Sequence, residues 1–167
     1  MGLNESVSAE RVHIGFFGLR NAGKSSLVNA ITNQELSLVS DVLGTTTDPV
    51  RKSMEFLPIG PVVVIDTPGL DDVGALGEAR VKKARQVLNT VDIAVLVTDA
   101  AKSLTSLENE LIDLFKQKKI PYIIAHNNLD IRESTDHTET EREIWVSAVK
   151  GINIERLKEK IGLLQSN

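Results

Sequence analysis

The chain has 167 residues, 41% of them hydrophobic and 25% charged, with a formal net charge of −4. That length fits one domain able to bury a core without covalent staples, and the absence of cysteine excludes disulfides, thiol catalysis and thiolate metal sites within it. The acidic balance argues against a nucleic-acid footprint, which calls for a basic surface, and no apolar run approaches the ~20 residues of a membrane-spanning helix.

Residues 1–10 read as a flexible polar leader, and residues 11–167 as one domain. "MGLNES" fits a myristoylation pattern at Gly2 and Ser6, and its "NES" is also a glycosylation sequon. Both patterns are short, and without a basic start followed by an apolar stretch the expectation is a cytoplasmic protein.

"HIGFFG" is the first of five continuous apolar runs; "PVVVID", "DIAVLVTDA", "PYIIAHN" and "IWVSA" follow. Continuous rather than alternating runs mark strands covered on both faces, as in a parallel sheet. Helical stretches separate them, over Lys24–Thr32, Glu78–Asn89, Leu104–Lys118 and Ile152–Leu164. In the last, Ile154, Leu157, Ile161 and Leu164 repeat at spacings of three and four and give one apolar stripe. "VRKSMEFLPIGPVVVID" reads as two strands joined at "LPIGP". A connection that short requires an antiparallel pair, since a parallel one needs a crossover of a dozen or more residues. The expected architecture is therefore α/β in three layers: a mostly parallel six-stranded sheet with one antiparallel edge strand, and helices on both faces.

Directly after the first strand, "GLRNAGKSS" matches G-x-x-x-x-G-K-[ST] through Gly18, Gly23, Lys24 and Ser25. Between a strand and a helix this pattern has a mechanism: curled backbone amides and the positive helix end converge on phosphate oxygens. Lys24 would reach the β/γ-phosphates, and the Ser25 hydroxyl would coordinate Mg²⁺. Downstream, "VSDVLGTTTDP" offers three hydroxyls in a loop, one of which could complete the Mg²⁺ shell when triphosphate is bound. "VVVIDTPG" supplies the second acidic requirement: Asp66 ends a buried strand, where a carboxylate holds Mg²⁺, and the Gly69 amide can approach a γ-phosphate. Leu70 follows, at the position where Ras-like GTPases carry a water-orienting Gln; leucine can neither orient nor polarise water, so by that resemblance intrinsic hydrolysis should be slow, and no general base is assigned.

"HNNLD" begins at the end of the fifth apolar run, at the carboxyl edge where open α/β sheets bind ligands. Asn127–Asp130 resembles the Asn-Lys-x-Asp signature with which GTPases read guanine, Asn128 standing in place of the Lys; the resemblance implies that Asp130 accepts from guanine N1–H and the 2-amino group, donors that adenine lacks. Asn127 would bond the O6/N7 side of the base or tie loops together. Beyond it, residues 131–144 are mostly polar, so a helix there must be short or absent. His13, His126 and His137 have no metal-ligand partner at suitable spacing and read as structural or surface residues.

Together, "GLRNAGKSSLVNA", "GTTTDP", "DTPG", "NNLD" and "SA" resemble, in order and approximate spacing, the translation-factor class of P-loop GTPases, most of all its TrmE and Era branch. The longer stretch "LVSDVLGTTTDPVRKSMEFLPIGPVVVIDTPGLDDVGALGEARVKKA" resembles the GTPase domain of HydF, the scaffold of FeFe-hydrogenase maturation. The resemblance implies a P-loop NTPase fold, GTP and GDP as ligands with Mg²⁺, and a slow GTPase acting as a switch in hydrogenase cofactor assembly. Lys24 becomes the catalytic lysine. Asn21, Ala22, Gly23, Lys24, Ser25 and Ser26 cradle phosphates, Thr45 and Thr46 sense them with Thr67, Pro68 and Gly69, and Ser25, Thr46 and Asp66 hold Mg²⁺. Asn21 would hold K⁺ with backbone groups of Ser40, Val42 and Thr45, and K⁺ would stimulate turnover. Asn127, Asn128, Asp130, Ser147 and Ala148 form the base end, an amide of the Ser147–Ala148 loop contacting the base oxygen. Asn128 departs from the family lysine, whose stem covers the base; the expectation is weaker affinity with guanine choice retained.

The resemblance further implies an isolated N-terminal domain without an iron–sulfur cluster. Expected partners are GTP, hydrogenase-maturation proteins or the remaining domains of its own longer protein, and a second copy of the chain; neither nucleic acid nor a membrane is expected. The alternative within the family is a TrmE/Era-like role in tRNA modification or ribosome assembly. A small-molecule kinase, which would need an arginine-bearing lid, and a nucleotide-locked structural module stay open from other classes.

Overall fold

The structure, a computed structural model, describes residues 12–18, 23–32, 50–56, 60–66, 77–100, 104–127 and 139–165. Among the described residues six strands and four helices follow in the order β1 (Val12–Gly18), α1 (Lys24–Thr32), β2 (Val50–Phe56), β3 (Gly60–Asp66), α2 (Gly77–Leu88), β4 (Ile93–Asp99), α3 (Ser106–Gln117), β5 (Tyr122–Asn127), β6 (Glu143–Trp145) and α4 (Ile154–Gln165). The strands form one sheet in the order β2-β3-β1-β4-β5-β6. Five run parallel, and β2 joins at the edge antiparallel to β3, from Val50 opposite Asp66 to Phe56 opposite Gly60. The three-layer sheet expected from the apolar runs and the short β2–β3 connection is the one found.

Period-two strands give each sheet face its own core. On one face Ile14 and Phe16 of β1, Val62 and Val64 of β3, and Val95 and Val97 of β4 meet Leu27, Val28 and Ile31 of α1 and Ile154, Leu157 and Ile161 of α4. On the other, Phe17, Val63, Ile65, Ala94, Leu96 and Ile124 meet Ala84, Val87 and Leu88 of α2 and Leu111, Leu114 and Phe115 of α3. Each fully buried aliphatic or aromatic side chain here contributes about 1.5–3 kcal/mol relative to exposure. β6 sends Ile144, and just after it Val146, into the first core; the second core draws its strand residues from β1, β3, β4 and β5.

Helix ends follow local chemistry. Thr105 caps α3: its side chain accepts from the Glu108 amide at 3.2 Å, while the Glu108 carboxylate accepts from the Thr105 amide at 2.7 Å. This reciprocal box moves the helix start to Ser106, two residues past the sequence expectation. Likewise α4 begins at Ile154, because residues 147–152 close a turn in which Ser147 and Ile152 exchange backbone hydrogen bonds of 3.1 and 3.0 Å. Among the described residues no helix is long and apolar enough to cross a membrane.

Candidate nucleotide site

β1 ends at Gly18, beside β4. A Cβ there would lie 2.6 Å from the Val97 carbonyl oxygen, so only glycine lets the chain leave the sheet at this point. Gly23, at φ 79°, turns it into α1. That left-handed geometry costs side-chain-bearing residues strain. α1 opens with Lys24, so the first lysine of the motif sits at a helix N-terminus.

Lys24 is buried, and its ammonium donates to Oδ1 of Asp66, the last residue of β3, which is buried too. The residues are 42 apart in sequence; they meet because β1 and β3 are parallel neighbours with Phe16 opposite Asp66. Sequence reasoning gave each a separate ligand, phosphate for the one and Mg²⁺ for the other. The structure shows them paired with each other. Ser25 follows, half-buried, and Ser26 is exposed.

A second cluster lies across the same edge. Asn127 ends β5 with its side chain buried. Its Oδ1 accepts from the Ala148 amide at 3.0 Å, and its Nδ2 donates to the Gly23 carbonyl over a long 3.5 Å. The Gly23 oxygen also accepts the first helical bond, from the Leu27 amide at 3.0 Å. Asn127 therefore joins the phosphate motif to the loop after β6, as the loop-tying option for it anticipated. Of the Ser147–Ala148 loop, from which the resemblance implied an amide for the base oxygen, the Ala148 amide donates here to Asn127 and the Ser147 amide to the Ile152 carbonyl. Ser147 is fully buried, and its Oγ accepts from the Lys150 amide at 3.1 Å.

Asn21, Ala22, Thr45, Thr46, Thr67, Pro68, Gly69, Asn128 and Asp130 lie outside the described residues. Those that are described converge on one sheet edge from β1, β3, β5 and the loop after β6. The donor set fits a magnesium-bound phosphate: a helix N-terminus and an ammonium for the anion, a hydroxyl and a buried carboxylate for the cation.

Residues 13–128 match the family described as 50S ribosome-binding GTPase. The chain belongs to this GTPase family. As a G domain it is 34% identical over 150 residues to the tRNA modification GTPase MnmE of Desulforamulus reducens, covering 86% of this chain and 32% of that protein. It is 35% identical over 166 residues to GTPase Der of Wolinella succinogenes, covering 90% of this chain and 35% of the relative. The G domain thus spans about a third of the length of these curated relatives. In fold it is similar to an Era variant of Aquifex aeolicus solved with GDP and AlF4⁻, with a TM-score of 0.72 and 24% identity over 92% of this chain and 56% of that one.

Outside this set the structure shows a cluster that sequence reasoning passed over. Thr98, His126, Glu143 and Trp145 meet beside Asn127. The only sequence signals were a histidine directly before the base motif and the chain's single tryptophan.

Proposed function

We propose that this chain is a G domain that binds GTP, hydrolyses it slowly to GDP and phosphate, and works as a nucleotide-dependent switch of the TrmE/Era/Der type. The carrying observation is the coupling at one sheet edge of the buried Lys24–Asp66 pair with Asn127, which reaches both Gly23 and Ala148. In this reading the α1 N-terminus and the Lys24 ammonium bind the polyphosphate. Ser25 and Asp66, with Thr46, would hold Mg²⁺, which supplies charge neutralisation at the β- and γ-phosphates. With nucleotide bound, Asp66 would hold the ion and Lys24 would face the phosphates, in place of the pair the two form with each other here. Asp130 selects guanine, and Asn127 keeps the base end attached to the phosphate end. Thr46 and Gly69 would contact the triphosphate, and Asn21 with Thr45 would hold K⁺, which would neutralise charge at the phosphates. Leu70 keeps turnover low, as it cannot orient water.

The identities to MnmE and Der and the match to 50S ribosome-binding GTPases favour a role of that kind, in tRNA modification or ribosome binding. A second reading, hydrogenase maturation, is supported by the stretch from Leu38 to Ala84, which resembles HydF. Direct RNA contact by this chain is no part of either reading, given its net charge of −4. The test is GTP against ATP affinity, followed by hydrolysis in K⁺ against Na⁺ buffer. Preference for GTP with slow, K⁺-stimulated turnover supports the proposal. Equal binding of both nucleotides favours a kinase, and guanine preference without turnover in either salt favours a locked module. Asn128→Lys is expected to tighten GTP binding by restoring apolar cover over the base.

A further inference from the structure

His126 precedes Asn127 on β5 and is 9% exposed. Its Nδ1 lies 2.9 Å from the buried Thr98 hydroxyl on β4, and its Nε2 lies 2.9 Å from Oε1 of Glu143 on β6. A carboxylate accepts, so Nε2–H is the donor in the second link. The ring also stacks on Trp145, with centroids 4.4 Å apart and planes 15° from parallel. Thr98, His126 and Trp145 occupy one level across three strands. One imidazole thus engages both neighbouring strands.

β6 needs such a fastening. It has three residues, of which only Ile144 is buried, so its register within the strand rests on a single core side chain. A slip by one residue would turn Trp145 and Glu143 to the opposite face. Three residues beyond the end of β6 stands Ala148, whose amide donates to the Asn127 side chain. The backbone bond from the Val146 amide to the His126 carbonyl, 2.8 Å, runs between the same two segments.

We propose that His126 is a positioning residue for guanine recognition: held between Thr98 and Glu143 and laid against Trp145, it keeps β6 in register with β5 so that Asn127 remains bonded to Ala148. The inference rests on the guanine-nucleotide reading above. Charge-assisted links of this kind are the stronger class of hydrogen bond, and their loss changes affinity at the base end while leaving the phosphate grip of Lys24 in place.

The test compares GDP and ADP dissociation constants in wild type, His126→Ala, His126→Gln and Glu143→Gln, by competition against one fluorescent guanine nucleotide. His126→Ala is expected to weaken GDP about tenfold and leave ADP unchanged, collapsing the preference. His126→Gln, whose amide nitrogen reaches the place of Nε2, is expected to recover most of it. Should His126→Ala not fold, Glu143→Gln carries the test, with an expected loss of preference of about threefold. GDP affinity unchanged in these variants, or GDP and ADP falling together, overturns the inference while leaving the guanine reading intact. A wild-type chain with no preference for GDP overturns both.

Discussion

Replacing Asp66 by alanine probes the link between the two phosphate-site motifs without any ligand. The change removes the carboxylate partner of an ammonium whose side chain is only 10% exposed. Breaking a buried ion pair from one side costs about 3–5 kcal/mol, because the remaining charge stays desolvated. Lys24 lies at the edge of the sheet and can turn its long stem outward, so the lower end, about 3 kcal/mol, is expected. For a chain of this length that corresponds to a fall in Tm of roughly 6–12 °C. The double variant Lys24→Met/Asp66→Leu removes both charges and is expected to melt within about 1 kcal/mol of wild type. The assay is thermal unfolding of nucleotide-free protein in chelator, followed by urea titration. An unchanged Tm for Asp66→Ala, or a double variant worse than the sum of its single changes, would refute the buried pair.

Gly18→Ala would push a methyl group to within 2.6 Å of the Val97 backbone oxygen; a loss of about 1–3 kcal/mol is expected, together with weakened nucleotide binding, both read by melting with and without GDP. Phe115→Ala removes a fully buried ring that meets Phe17 and Tyr122 at centroid distances of 5.3 and 5.5 Å, and urea unfolding should show a cost of about 3–5 kcal/mol. Glu139 accepts from Arg156 and Lys160, and chiefly the Arg156 hydrogen bond holds its carboxyl below the ordinary glutamate value. A carboxyl lowered by folding adds stability above its unfolded value and loses it as pH falls through the folded value. Urea midpoints of wild type should therefore drop more than those of Glu139→Gln between pH 6 and about pH 3.

The sheet was legible because its strands are buried on both faces and show as continuous Val- and Ile-rich runs, and because five residues cannot carry a parallel crossover. α4 was legible from the spacing of Ile154, Leu157 and Ile161. Helix starts were less so: the Thr105–Glu108 box and the Ser147–Ile152 turn each displaced a boundary by two residues. Within the site, motif spacing supplied Lys24, Asp66 and Asn127 but not their mutual contacts, since those depend on strand adjacency. Motif chemistry describes each residue by its ligand and therefore does not foresee Lys24 bonding to Asp66, or the Ala148 amide donating to Asn127. The His126 cluster was invisible for the same reason. Its members come from β4, β5 and β6, and only the pairing of those strands places them together.

The strand order also divides the molecule mechanically. β2 and β3 form an antiparallel outer pair, with β2 at the margin of the sheet. Asn127 belongs to β5, three places along from β3, with β1 and β4 intervening. Backbone rearrangement at that outer pair reaches the far side through two central, doubly covered strands, or through the Asp66–Lys24 pair and the Asn127–Gly23 bond. The strands at the Asn127 end can keep their pairing while the opposite margin changes shape.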